Sequence, residues 1–375
     1  MFRRFFLMTA LPVLFPLIAC AQPPAPAAVA ENPIPADSPT AAHEVDHRFW
    51  IVSSRRASQK RDRIGCGPLD VWTADCSQCF SNCSPRHISI PTVRSPLGEK
   101  EFQHALTPGV PVCIVIHGSY VEWDRADDYS WKAYRWLKQA RPHEPLHVIA
   151  FSWPSDPLTF VPNIDFNVLG KRAALNAFYL ARLLQQIPPE SPVSFFAHSQ
   201  GTRSVTALLH LLAGGTVQGY QLPAGTDRGH RIRVVLAAAA VDHDWLNPGN
   251  LYGRALCRTE AVLNLVNQHD WALGFYHLRS LNSKHAVGRS GFRHSDYQCM
   301  GPLAYRIHQM DVTREIGTGH NLQRYLSRND LAAAIAPYHY FSNQQNTPAR
   351  ILAPPSDVQP TRYAGEETRQ RAVNR

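Results

Sequence analysis

The 375-residue sequence has no block of like charge, no internal repeat and no regular cysteine–histidine spacing, and each absence removes a class of function. Lys and Arg number 38 against 29 Asp and Glu, a formal charge of +9, but the excess is scattered along the chain. A nucleic-acid-binding face gathers its basic residues into a patch or stripe, so no nucleic-acid partner is expected. A diffuse positive balance is still compatible with an anionic membrane surface or an acidic partner. Without repeats there is no solenoid or propeller array. Cys76 and Cys79 have a two-residue gap, but the remaining cysteine spacing is irregular and completes no zinc set, so neither metal nor organic cofactor is expected. What is present is material for a core. At 44% hydrophobic content the chain has enough for one large α/β domain or two small ones, and one large domain is the expectation.

Arg3 and Arg4 form a short basic region, followed by an apolar stretch from Phe5 to Ile18 that Pro12 and Pro16 interrupt. It is too short to persist comfortably as a membrane span, so residues 1–19 read as a signal peptide. Its end, Leu17-Ile18-Ala19-Cys20, resembles the lipobox of bacterial lipoproteins, which implies lipidation at Cys20 and localisation on a membrane of the bacterial envelope. The alternative is an ordinary secretory signal cut nearby, giving a soluble product. Residues 20–45 are rich in Pro and Ala and read as a tether. Setting Cys20 aside leaves seven cysteines, an odd number, and Cys113 in the apolar run Val112–Ile116 is the expected free thiol. Cys66, Cys76, Cys79, Cys83, Cys257 and Cys299 read as disulfide staples suited to an oxidising compartment.

From Val112 onward, short apolar runs alternate with longer helical stretches, the signature of a mostly parallel sheet with helices on both faces. The strands fall at 112–117, 146–152, 192–197, 232–241, 261–267 and 304–312, after a first strand-like run at Arg48–Val52. Helical periodicity marks Tyr129–Ala140 and Val168–Ile187. The domain is placed at 46–340, with a cysteine-rich insertion near 66–83 and a polar, poorly packed tail over 341–375.

The strongest chemical signal is the strand Pro192–Ala197 running into Ala197-His198-Ser199-Gln200-Gly201 and then a helix through Val205, Leu208, Leu209, Leu211 and Leu212. A nucleophile elbow needs this strand–turn–helix context, with small residues two before and two after the serine so that strand and helix can approach. Gly201 supplies one and Ala197 the other, the latter with one methyl more than the strict motif has. Acyl transfer also needs donors for a developing oxyanion. The Gln200 amide follows the nucleophile; the second donor is expected after the strand ending Ile116-His117-Gly118-Ser119-Tyr120, from Ser119 or alternatively Tyr120. That stretch resembles the His-Gly oxyanion turn of α/β-hydrolases.

A serine needs a histidine base and an acid to orient it, in the chain order Ser, acid, His. Two acids end strand-like runs after Ser199: Asp270 is preferred because the acid commonly follows the penultimate strand, and Asp242 is the alternative. Among 18 histidines, His320 is chosen for its glycine-flanked loop after the last strand, with His285, His294 and His308 as alternatives. His198 points away in an elbow of this geometry and is assigned to packing or substrate contact. Trp123, Trp131, Trp136 and Trp153 are assigned to core packing at least in part, and carry no substrate reading.

The stretches Phe49–Arg56, Ile116-His117-Gly118, Phe151-Ser152-Trp153-Pro154, Ala197–Gly201, the Ala-rich run ending at Asp242, and Gly319-His320 together resemble a bacterial α/β-hydrolase family of uncharacterised function often found on envelope or lipoprotein chains. The resemblance spans roughly residues 49–327 and implies the α/β-hydrolase fold with a Ser199–Asp270–His320 triad, but no substrate. The expectation is a hydrolase of a carboxylic ester, of a lipid or another acylated envelope component. A thioesterase, amidase or acyltransferase would use the same residues, and a non-enzymatic envelope-binding protein on a hydrolase scaffold is the alternative from another class.

Overall fold

The computed structural model describes residues 48–57, 64, 67–75, 94–157, 162–280, 282–341 and 351–352. The chain divides into two units, Met1–Ala42 and His43–Arg375. The first lies outside the described residues, and with it the expected signal peptide, Cys20 and nearly all of the expected tether. Among the described residues no helix is long and apolar enough to cross a membrane.

The described part of the second unit is built on a ten-stranded sheet. Its strands are β1 (Arg48–Ser53), β2 (Asp70–Asp75), β3 (Arg94–Leu97), β4 (Val112–Ile116), β5 (His147–Ser152), β6 (Val193–His198), β7 (Ile232–Ala237), β8 (Ala261–Val266), β9 (Ile307–Asp311) and β10 (Ile351–Leu352). The spatial order is β10-β9-β8-β7-β6-β4-β5-β1-β2-β3. The seven strands from β9 to β1 in that order run parallel; β2 and β3 extend one edge antiparallel and β10 the other. This is the mostly parallel α/β architecture expected of the sequence.

The central strands are near-continuous apolar runs because both faces are covered. In β4, which follows the short helix α1 (Glu99–Ala105), every residue is buried. Its Ile114 and Ile116 face one core with the buried residues of α3 (Pro162–Leu184) and α4 (Gly201–Leu212), such as Leu180 and Leu208. Its Cys113 and Val115 face the other core, with Tyr134 and Trp136 of α2 (Ala126–Ala140) and with Tyr325 and Ile335 near the C-terminal end. Alternate side chains of one strand thus serve opposite cores, which is the period-two rule for a sheet sandwiched between helices.

Several boundaries differ from the sequence reading. The run expected as a strand over 232–241 ends at Ala237, and Ala238 takes a left-handed φ of 45°. Its continuation bonds to other partners: the Ala240 amide donates to the Ser199 carbonyl, and the Ala239 carbonyl accepts from the Gly288 amide. Four consecutive alanines are apolar without being β-branched, so composition alone does not reveal where the ladder stops. Residues 301–306 form a 3-10 turn and only Ile307–Asp311 is strand. The tail expected to be poorly packed contributes β10, whose Ile351 and Leu352 pair with Met310 and Gln309, and Phe341 is buried. The insertion near 66–83 contains β2 at the antiparallel edge, while Cys66, Cys76, Cys79 and Cys83 lie outside the described residues.

Cys113 is free and buried, as expected. Cys257 is disulfide-bonded. The expectation of a staple at Cys299 is not met: it is a free, exposed thiol on the helix His294–Met300, so two thiols are free among the described residues.

Candidate active site

The topology selects one crevice. β5 lies on one side of β4 and β6 on the other, so the chain leaves the carboxyl ends of β4 and β6 in opposite directions, and ligands of open α/β sheets bind at such a switch point. The two sequence signals, His117-Gly118 after β4 and Ser199 after β6, stand on adjacent strands there, with Ile116 paired to Ala197.

Ser199 adopts φ 51°, left-handed for a residue with a side chain, at the junction between β6 and α4. Its amide donates to the Ala237 carbonyl at 3.0 Å and its carbonyl accepts from the Thr202 amide at 3.1 Å. These bonds hold a backbone conformation that would otherwise be disfavoured. The turn depends on its small neighbours: a Cβ at Gly201 would stand 2.5 Å from the His117 carbonyl oxygen, and one at Gly118 would stand 2.8 Å from Ser199 Cβ. The Ala197 methyl is accommodated and fully buried.

The Ser199 hydroxyl donates to His320 Nε2 at 2.8 Å, and His320 Nδ1 donates to Asp270 Oδ2, also at 2.8 Å. Asp270 has no exposed surface, and its second oxygen accepts from the Leu273 amide at 2.9 Å, capping the short helix α5 (Trp271–Gly274). The acid is thereby fixed in rotation as well as position. His320 sits on a loop secured from beneath by Asn267, which is fully buried and whose side-chain amide donates to the Gly317 carbonyl at 2.8 Å. The Trp271 amide adds a bond to the Thr318 carbonyl at 3.3 Å. His198 turns back under this loop and donates from Nε2 to the His320 carbonyl at 2.7 Å. Burial, then the neighbouring His320, pushes the pKa of His198 down to about 3, so it is a neutral prop.

Both expected oxyanion donors, the amides of Ser119 and Gln200, have no hydrogen-bond partner among the described residues. The Tyr120 amide, the alternative, donates to the Ser155 carbonyl at 2.7 Å and is occupied. His117 holds the turn: its Nδ1 donates to the Gly118 carbonyl at 2.7 Å, while its Nε2 accepts from the Trp153 amide at 3.3 Å. Its ring stacks on Trp153 with centroids 5.6 Å apart. Complete burial lowers the His117 pKa to about 3 and keeps the ring neutral, which that pair of bonds requires.

The other candidates are engaged elsewhere. Asp242 is buried and accepts from Tyr276 Oη at 2.7 Å, from Arg279 and from the Lys284 amide at 3.2 Å. His308 bonds to Tyr338, His294 to Gln298, and the exposed His285 to neither Ser199 nor Asp270. Trp131, Trp136 and Trp153 are buried in the core, and Trp123 packs on Trp72 with centroids 4.8 Å apart.

Sequence reasoning did not find the cationic support beneath the elbow. Arg203 on α4 is buried; its Nε donates to the Ala240 carbonyl at 2.8 Å, and its guanidinium lies 5.2 Å from the Phe166 ring and 5.0 Å from that of Trp245. An arginine on a leucine-rich helix face is a signal that it has distant partners, since an unpaired buried charge is costly.

No protein-family model matches the chain, and no curated protein does. Among solved structures the chain is similar to an iodinated complex of acetyl xylan esterase, at 12% sequence identity and a TM-score of 0.34, over 62% of this chain and 99% of that one.

Proposed function

We propose that the protein is a serine esterase acting through an acyl-enzyme. The observation that supports this reading is the continuous line from Ser199 through His320 to buried Asp270, beside two amides that have no hydrogen-bond partner among the described residues. His320 takes the Ser199 proton as Oγ attacks the ester carbonyl, and Asp270 stabilises the imidazolium and fixes its tautomer. The amides of Ser119 and Gln200 receive the negative oxygen of the tetrahedral intermediate. As that intermediate collapses, His320 returns the proton to the leaving alkoxide. Water, deprotonated by the same histidine, then attacks the acyl-serine and regenerates the hydroxyl. The substrate proposed is a carboxylic ester of a lipid or another acylated component of a bacterial envelope, reached by a chain anchored through lipidated Cys20.

The test is labelling by a fluorophosphonate probe. Wild-type protein should label, and Ser199→Ala and His320→Ala should not, with circular dichroism showing all three folded. A folded wild type that does not label overturns the reading.

A further inference from the structure

A cavity of about 420 Å³ opens beside the catalytic candidates and shares none of them; it is lined by Gln268, Leu273, His285, Ala286, Arg289 and Ser290. It lies between the loop that ends at Asp270 and the short helix α6 (Val287–Ser290) with the residues before it.

Its charges are unbalanced. Arg289 donates from Nη1 to the Asp270 main-chain carbonyl at 2.9 Å and has no carboxylate partner among the described residues. No acid lines the cavity. Three carboxylates on the segments that meet here are committed: Asp270 to His320 and the Leu273 amide, Asp242 to Arg279 and Tyr276, Asp296 to His243, Asn247 and the Arg293 amide. The His277 ring stands 4.9 Å from that of His285, and its Nδ1 is buried with no partner. Desolvation, then His277, Arg293, His243 and Arg289, hold the His285 pKa below its ordinary value, and no acid opposes them. A pocket that gathers a guanidinium, an imidazole and a side-chain amide without an anion is complementary to one.

We infer that this cavity is a binding site for a phosphate-type oxyanion, held by Arg289 and His285 with Gln268 at its wall. The guanidinium fork suits two oxygens of such a group, and its existing bond to the Asp270 carbonyl fixes its plane.

The same segment offers a reason to consider where the anion comes from. Along α5 and the 3-10 turn Tyr276–Arg279 that follows, Trp271, Phe275 and Leu278 are 62%, 64% and 59% exposed, whereas Leu273 and Tyr276 between them are buried. Their spacing of four and then three residues puts them on one side of the helical segment. Apolar surface beside an anion pocket fits the headgroup of an anionic lipid; without a role for that surface, the pocket takes free phosphate.

The site does not rest on the esterase reading, and its test is chosen accordingly. Full-length protein is titrated with inorganic phosphate and, separately, with dihexanoyl phosphatidic acid, followed by calorimetry. Saturable binding is expected, weakened at least tenfold by Arg289→Gln and by His285→Glu, the second at an exposed position that leaves the fold alone. Ser199→Ala should bind as the wild type does, so loss of labelling and loss of anion binding separate cleanly. Phosphatidate binding tenfold tighter than phosphate, with the gain lost in the Trp271→Ser, Phe275→Ser double variant, assigns a lipid headgroup; equal affinities assign free phosphate. No saturable binding of either probe, or binding unchanged in both pocket variants, overturns the site.

Discussion

At Gly118 the absence of a single carbon sets the geometry of the whole turn. A methyl there would meet Ser199 Cβ at 2.8 Å and His198 Nδ1 at 3.0 Å, neither of which can swing aside, because the first is fixed to the backbone of the turn and the second belongs to the prop under His320. The backbone would have to move instead, carrying the Ser119 amide with it. Gly118→Ala should therefore lower kcat per folded molecule on a short-chain ester about 10²- to 10³-fold, the cost of losing one oxyanion donor, and should also lower the thermal midpoint, since forced backbone movement in a packed site costs about 1–3 kcal/mol. Unchanged kcat would remove the Ser119 amide from the mechanism. Asp270 tests a different link. Asparagine keeps its shape and the bond from the Leu273 amide, but it can offer His320 Nδ1 the wrong partner, so Asp270→Asn should drop kcat about 10⁴-fold with the fold intact. Affinity for a short-chain ester should persist, because the substitution changes a group that contacts His320 on the side away from Ser199.

The other acid belongs to the packing of elements. Asp242 terminates the segment after β7 and ties it to the turn Tyr276–Arg279, where Arg279 lies 3.9 Å from the Tyr276 ring, while Arg203 brings α4 to the same segment through the Ala240 carbonyl. Removing the carboxylate leaves buried cations without a counter-charge, which typically costs about 3–5 kcal/mol. Asp242→Ala should accordingly lower the urea midpoint steeply while kcat per folded molecule stays near wild type, the reverse of the Asp270→Asn pattern; a large kcat loss without destabilisation would return Asp242 to the role of catalytic acid. This pair also shows what was legible in the sequence. The strand, elbow and helix around Ser199 could be read because each is a local pattern, and Asp270 and His320 because chain order limits the choices. The Arg203–Tyr276–Asp242–Arg279 cluster could not, since its members are separated by up to 76 positions along the chain and meet only after α4, β7 and the 276–279 turn pack together. The alanine run after Leu236 misled for a physical reason: its apolar composition matched a strand, but its hydrogen bonds were claimed by the elbow and by residues 286–288.

Across the whole molecule, burial of imidazole is a common feature with one thermodynamic sign. His117 follows β4, His198 ends β6, and His339 lies against Ser194 with a 3.0 Å hydrogen bond; burial lowers all three from 6.5 to about 3. Burial also lowers His210 and His308. A base whose folded pKa is depressed stays neutral in the native state while the unfolded chain takes up a proton below pH 6.5, so the unfolded state binds more protons and stability falls as pH falls. Its contribution is complete above the unfolded value and is lost progressively down to the folded one, the opposite of a histidine stabilised by an acidic partner. Between pH 6 and 5, above the range where ordinary carboxylates titrate, the three fully buried rings should give a slope approaching about 4 kcal/mol per pH unit. Urea unfolding across that interval measures it. His339→Gln removes one ring remote from Ser199 and His320 in the hydrogen-bond pattern, and should reduce the slope by one proton, about 1.4 kcal/mol per pH unit, whatever it does to the absolute stability. A slope identical in the two proteins would mean that His339 is already protonated in the folded state, and that the interior between β4 and the C-terminal turn admits a charge its packing gives no means to hold.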